Sequence, residues 1–581
     1  MRLRAAVLVA LTAAAGWLRF ASIGFGLPDK LRPDEEYVVS RALGFDPDWN
    51  PHFAIYPALE MYVLHGALRL AAAAEGDADG FRRRFGANGA APAHRAGRLL
   101  SATFGTLTVP AVYLAGARAL GPFAALAAAA ITTFATLHVR ESKFATTDAA
   151  AVLLTALACW MMLRVVIRGG LRDSTGAGLL AGLATAAKYP AGAVLAGVGL
   201  AHLGARRREG RSLWRIVRDI RPYLALYAAV VAFLAGTPYF LLDWQRTVSD
   251  FRFQREFLAH GVGNPLVRTG WRWLLFDALP DGYGPTLAAL LVAGFLWALV
   301  RPRPGRLSLA GAAAVACAGM TASSYVFYRY AVMPLPELAL LAGALVGDAA
   351  EGLGRRIGGR RARIAAAAAL AAALAPSLVR DYKLDRLLGR RDTRTIAREW
   401  IEAHVPAGAA IAATAAATPY GKPALGRGRR YVPFLSTEAA RRAGIEWVLS
   451  DSSPLAFYSP GPTPAQLGDL ERNAELVFDR DPVKPGTPAP VFDQNDAFYA
   501  PLRHASSMKR PGPRIRIWRL RRSRRGPARA TRSTRAREGL RARRRPGRRD
   551  FAAPPARGER RAKASGPESP KPAPRSDRWR R

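Results

Sequence analysis

From about residue 5 to residue 378 the chain repeats one pattern. Long runs of Ala, Leu, Val, Gly and aromatic residues alternate with short connections rich in arginine. A run of about 20 apolar residues is long enough to cross a bilayer as a helix. The repetition therefore predicts a polytopic α-helical membrane protein.

Charge placement sets the orientation. The basic start Met1-Arg2-Leu3-Arg4 precedes an apolar run that continues through Trp17-Leu18 and Ile23-Gly24-Phe25. Ala13-Ala14-Ala15 would suit cleavage of a leader, but the run of about 22 residues suffices to span. Arg2 and Arg4 keep its start cytoplasmic and place residues 28–92 outside as a long loop. Within that loop, Tyr56-Pro57-Ala58-Leu59 opens a short helix with Pro in its first turn, lying on the membrane face. Further spans are expected at 99–120, 122–137, 147–167, 222–242, 284–300, 307–327, 331–346 and 364–378.

Residues 176–203 are broken by Lys188-Tyr189-Pro190 into two pieces too short to cross, with Arg172 before them and Arg206-Arg207-Arg208 after. Cytoplasmic ends on both sides predict a hairpin of short helices with Lys188 at its turn. Such backbone at depth must line protein or a cavity. The count is about eleven segments, with an outside C-terminal region. Arg206-Arg207-Arg208, Arg301/Arg303/Arg306 and Arg355-Arg356/Arg360-Arg361 all then fall in cytoplasmic loops.

The division expected is a membrane domain at 1–378, an extracytoplasmic α/β domain at 379–520 and a disordered Arg-rich tail at 521–581. Thr393 to His404 suits an amphipathic helix. Ala409-Ala410-Ile411-Ala412, Trp447-Val448-Leu449-Ser450, Leu476-Val477-Phe478 and Ile515-Arg516-Ile517-Trp518 suit strands. The tail holds 23 of the basic and 5 of the acidic residues, so it carries 18 of the net charge of +42. Its Arg, Pro, Ala and Gly content is that of a disordered segment. Topology and tail together account for the charge without nucleic acid. Cys159 and Cys317 both lie in apolar runs, which supports no disulfide.

Against this basic background the acidic stretch Arg32-Pro33-Asp34-Glu35-Glu36-Tyr37, where the chain leaves the first span, stands out. A solvated loop would also be acidic, but other membrane edges carry matching charges. Arg140 and Asp148 bound the link His138 to Asp148, where Asp148 also suits a helix N-terminus. Lys188 sits at the hairpin turn, and Arg329 lies in Tyr328-Arg329-Tyr330 between two spans. Snorkelling to the surface is the plain alternative for these cations; charges at such depth otherwise face a cavity or a partner. Arg19, in the first span, is a weaker member of the set.

Carboxylates and cations gathered on one face suit transfer of a sugar from a polyprenyl phosphate. Cations hold the departing phosphate, and a carboxylate serves as base for an acceptor hydroxyl. No P-loop or GxGxxG follows a strand, and His52, His65 and His138 are too scattered for a metal. No cofactor is expected; a divalent metal is the alternative, without support in the sequence.

The arrangement resembles the GT-C-type glycosyltransferases, specifically the protein O-mannosyltransferase and lipid A aminoarabinose transferase group. The resemblance rests on Asp34-Glu35, on Tyr56-Pro57 with Leu59, on Arg140 to Asp148 followed by Leu179 to Pro190, and on Arg329-Tyr330 with Pro334 and Pro336. It covers about 1–350. It implies that Asp34 is the catalytic carboxylate, with Glu35 assisting, and that the donor is a polyprenyl-phosphate sugar. Lys188, Arg329 and Arg140 become candidates for the donor phosphate, with Asp148 and Tyr56 beside them. Phe81-Arg82-Arg83-Arg84 and the tail have no counterpart in that pattern. The acceptor, whether protein, lipid or polysaccharide, is not identified. An inner-membrane enzyme with an extracytoplasmic active site is the expectation; a transporter or flippase of a lipid-linked substrate is the rival.

Overall fold

The apolar runs fold as helices. The computed structural model describes residues 2–521 except 30–31, 46–47, 78–79, 261–269, 323–326, 415–418, 427, 455–459 and 494–498. The tail expected at 521–581, Arg521 apart, and residues 323–326 of the expected span 307–327 thus lie outside the described residues. In order come α1 (Arg2–Phe20), α2 (Pro33–Gly44), α3 (Leu59–Ala73), α4 (Phe81–Ala119), α5 (Pro122–Thr133), α6 (Thr136–Glu141), α7 (Asp148–Arg168), α8 (Leu171–Ala187) and α9 (Val194–Arg208). Then follow α10 (Leu213–Val217), α11 (Ile220–Gly236), α12 (Tyr239–Leu242), α13 (Trp244–His260), α14 (Gly270–Trp273) and α15 (Leu279–Tyr283). The helical part closes with α16 (Pro285–Val300), α17 (Pro304–Thr321), α18 (Leu335–Ile357) and α19 (Gly359–Leu388).

Among the described residues five helical stretches are long and apolar enough to cross a membrane: Arg2–Phe20, Gly89–Ala119, Asp148–Arg168, Leu213–Gly236 and Gly359–His404. Other expected spans form shorter helices, α5 with 12 residues and α16 with 16. Their small side chains interlock in continuous cores. Val152, Ala184, Leu287 and Ala339 meet in one, and Met162, Ala181, Val198 and Leu309 in another.

The hairpin forms, with arms longer than the sequence reading allowed: α8 has 17 residues and α9 has 15. At its tip Lys188 is extended (φ −155°, ψ 124°) and Tyr189–Ala193 make a 3₁₀ turn. At its base the Arg206 guanidinium in α9 donates to the Gly169 carbonyl just before α8, at 2.6 Å. Gly178 and Gly182, one turn apart, let α8 lie directly on α11. A β-carbon at either position would run into the carbonyl oxygen of Ala225 or Ala229.

The region expected as one long outer loop is largely helical. The acidic stretch is the first turn of α2. Pro33 occupies a position where its missing N–H costs nothing, and Asp34, Glu35 and Glu36 face the positive end of the helix dipole. The helix expected from Tyr56 begins at Leu59 and runs to Ala73. Phe81 to Arg84, expected as loop, open α4 instead.

Helix α20 occupies Thr393–His404, with Asp392 accepting from the Arg394 N–H as its N-cap. The strands are β1 (Ala410–Ala413), β2 (Arg430–Pro433), β3 (Trp447–Ser452), β4 (Ala474–Arg480) and β5 (Arg514–Leu520), in the order β2-β1-β3-β5-β4. The edge strand β2 is additional to the four expected. β1 runs parallel to β2 and β3, whereas β5 runs antiparallel to β3 and β4. Ala397 and Ile401 of α20 cover Ile411, Leu449 and Ile517 on one face. On the other, Leu470 of α22 (Pro464–Asn473), which follows α21 (Thr437–Arg442), packs with Val448 and Trp518. Thr395 donates to Asp29 at 2.7 Å, tying this unit to the chain between α1 and α2.

Candidate active site

Asp34 and Glu35 are neighbours in one helical turn with different partners. Glu35 is fully buried. Arg98 of α4 grips both of its oxygens, each at 2.8 Å, and the Ala145 N–H donates to one of them at 2.8 Å. Arg98 also donates to the carbonyls of Ile23 and Phe25. Burial pushes the Glu35 carboxyl up; Arg98, His94 and the Ala145 N–H together hold it below its ordinary range. This carboxylate ties α2, α4, the end of the first span and the link before α7 together.

Asp34 keeps 19% of its side chain exposed. Arg329 lies 2.7 Å from Oδ2, Arg32 lies 3.6 Å from the same oxygen, and the Tyr56 hydroxyl donates to Oδ1 at 3.1 Å. Burial again pushes the carboxyl up; Arg329, Arg32, Tyr56 and Lys188 together bring it below its ordinary value. The Tyr56 phenol is pushed well up by burial and by Asp34, so it stays a donor. Burial lowers the affinity of Arg329 for its proton; Asp34, Tyr56, Asp493 and Tyr330 together more than restore it.

Lys188 at the hairpin tip pairs with Asp148, the first residue of α7, and its Nζ sits 5.2 Å from the centre of the Tyr330 ring. Arg140 stands one step further back. It pairs with Glu141 and donates to the Ala500 carbonyl at 3.3 Å. Glu141 is in turn 3.4 Å from Arg32, whose guanidinium lies over the Phe144 ring. All seven residues singled out from the sequence (Asp34, Glu35, Tyr56, Arg140, Asp148, Lys188 and Arg329) thus fall in one neighbourhood. Arg19 does not join them: it donates to the last carbonyls of α5, Thr132 and Thr133, and bonds His138 Nδ1 at 2.9 Å. Among the described residues no three His, Cys, Asp or Glu side chains gather as a metal site.

Beside this network opens a cavity of about 590 Å³. Tyr56, Lys188, Tyr330 and Gln254 give it polar points; Ile55, Val315 and Met320 are among its apolar walls. An apolar cleft with few polar groups on one side is the usual form of a ligand site.

Four participants were not singled out from sequence. Arg32 and Glu141 lie inside the quoted stretches, where their charge was the available signal. Arg98 sits just before the expected start of a span, at 99. Asp493, which accepts from the Tyr328 and Arg329 N–H groups at 2.7 and 3.1 Å, comes from the β4–β5 connection and had no local signature.

Residues 91–240 match the family described as dolichyl-phosphate-mannose-protein mannosyltransferase. Over that stretch the match bears out the resemblance read from Arg140 to Asp148 and from Leu179 to Pro190. No curated protein matches the chain. Among solved structures, apo ArnT from Cupriavidus metallidurans is similar at 15% identity and TM-score 0.49, over 88% of this chain and 97% of that one. ArnT bound to undecaprenyl phosphate gives 18% and 0.43, over 69% and 72%. The Archaeoglobus fulgidus oligosaccharyltransferase tethered with an acceptor peptide gives 13% and 0.48, over 83% and 73%. None of the three reaches a TM-score of 0.5.

Proposed function

We propose that this polytopic membrane protein is a glycosyltransferase that moves a sugar from a polyprenyl-phosphate carrier to an acceptor hydroxyl. The carrying observation is the meeting of Asp34, Arg329 and Lys188 beside one mostly apolar cavity. The family match at 91–240 supports the same chemistry.

The acceptor oxygen attacks the anomeric carbon while the bond from that carbon to the phosphate oxygen breaks. The hydroxyl proton passes to Asp34, and the phosphate leaves with its extra negative charge. Lys188 and Arg329 stabilise that charge, and the apolar wall takes the first isoprene units. Asp148 sets the direction of Lys188, and Tyr56 holds the Asp34 carboxylate by its hydroxyl. Arg140 supports the cluster through Glu141. Glu35, wholly taken up by Arg98 and the Ala145 N–H, braces α2 and leaves the proton transfer to Asp34.

The parts of the site sit at the ends of helices: the start of α2, the α6–α7 link, the hairpin tip and the turn before α18. That placement favours transfer at a membrane face over transport between two halves. With the arginine-rich loops cytoplasmic, the face is extracytoplasmic, the membrane is the plasma membrane and the α/β unit lies outside. The set of about eleven membrane segments belongs to the same reading. No step calls for a cofactor.

Mass spectrometry of glycans and lipid carriers in a deletion strain tests this. Loss of one glycan, with accumulation of its polyprenyl-phosphate sugar, is expected. The wild-type gene should restore the pattern and the Asp34→Asn gene should not. Unchanged glycans and carriers would overturn the proposal.

A further inference from the structure

We infer that Asp493, a residue of the C-terminal α/β unit, is a positioning residue that sets Arg329 for the donor phosphate; the inference rests on the function proposed above. The connection between β4 and β5 runs from 481 to 513 and leaves the sheet to reach the helical part. Along it, Asp493 is buried. Its two oxygens accept from two successive backbone amides, Tyr328 at 2.7 Å and Arg329 at 3.1 Å.

Those are the first amides of the 3₁₀ turn Tyr328–Val332, groups that have no partner within the turn. One carboxylate spanning both fixes the direction in which the turn leaves Phe327. Trp273 meets the Tyr328 ring edge-on at 5.6 Å, and the Phe327 ring lies 4.3 Å from the Arg329 guanidinium. The turn is held from its backbone and both flanks, and its one cationic side chain arrives 2.7 Å from Asp34. A buried carboxylate is costly unless hydrogen-bonded, and two of its bonds go to the element that carries Arg329. The same connection supplies the Ala500 carbonyl to Arg140. Arg329 and Arg140 are therefore both held from the α/β unit.

The test uses the full-length chain in lipid nanodiscs, with amide hydrogen exchange at 328–329 and transfer kinetics read together. Asp493→Ala should speed exchange at Tyr328 and Arg329 and raise the donor KM about tenfold or more. Its kcat should fall as well, because Arg329 meets the charge that grows on the departing phosphate, while acceptor KM should stay within about threefold. Asp493→Asn, with one acceptor oxygen left, should recover part of the loss. In an Arg329→Ala background, Asp493→Ala should add nothing further. Unchanged exchange, a loss confined to kcat, or effects that multiply independently would overturn the inference. Binding of polyprenyl monophosphate separates it from the proposed function. Absent transfer by the wild type with binding weakened by Asp493→Ala would sink the function and keep the inference; equal binding by the two proteins would sink the inference.

Discussion

The two ends of the helical hairpin use the same residue types for different ends. At the base, Arg206 lies 3.0 Å from Asp219, and nearby Arg306 of α17 lies 2.7 Å from Asp348. Around them Arg207, Arg208, Arg303, Arg355, Arg356, Arg360 and Arg361 are exposed. At the tip, Lys188, Arg329, Arg32 and Arg140 are buried, and each has a carboxylate within ion-pair distance. Desolvating such pairs is expensive, and apolar replacements often serve stability as well or better. On the proposed topology the exposed surplus at the base would set orientation, whereas the matched network at the tip is buried beside a cavity. Arginine count says little, whereas burial beside a cavity says much.

Breaking the brace at the tip should cost most. Arg98→Ala leaves Glu35 buried without its main partner, and about 3–5 kcal/mol of stability is expected to go. Thermal unfolding of the purified protein should show it as loss of most folded material. Arg329→Ala is next. It spares the fold but removes a cation from the departing phosphate, and transfer should fall about 10²–10³-fold in a steady-state assay. A milder loss, of about tenfold and mostly in donor KM, is expected for Lys188→Arg, which keeps the charge but not the compact ammonium geometry.

Acid sharpens the same contrast. The folded Glu35 carboxyl sits below its ordinary value, so its contribution to stability is complete above about pH 4.3 and drains away as pH falls through the lowered value. A thermal-shift series should be flat for this pair from neutral pH down to that point. Glu35→Gln should remove the acid step. The smallest effect belongs to the base: Arg355→Ala, at an exposed position, should change stability by about 0.5 kcal/mol or less, and transfer should not change. A loss of transfer there as large as at Arg329 would erase the distinction between the ends.

Much of the site was legible because charged residues are conspicuous in apolar sequence. Lys188 at a break and Asp148 at a helix start declare themselves locally, and so does α20, whose period and cap are contained within Asp392–His404. Asp34 was found for its charge but placed in a loop, because the dipole and Pro33 favour a helix that is too short and polar to look like one in sequence. What stayed hidden depends on distant parts of the chain. Arg98 reads as an ordinary positive flank until α2 folds against α4 and brings Glu35 to it, 63 positions away. Asp493 is one acid in a long connection, and only the docked α/β unit turns it toward Arg329. Strand β2, four residues ending in Pro433, is an edge strand held by pairing rather than pattern.

Asp34 is proposed as the base of a sugar transfer from a polyprenyl phosphate. Release of polyprenyl phosphate from a labelled polyprenyl-phosphate sugar, by purified wild type and Asp34→Asn protein with acceptor present, tests it most directly. Turnover by the wild type and background by Asp34→Asn, with equal donor binding by both, is the expected result. Wild-type turnover by Asp34→Asn would contradict it.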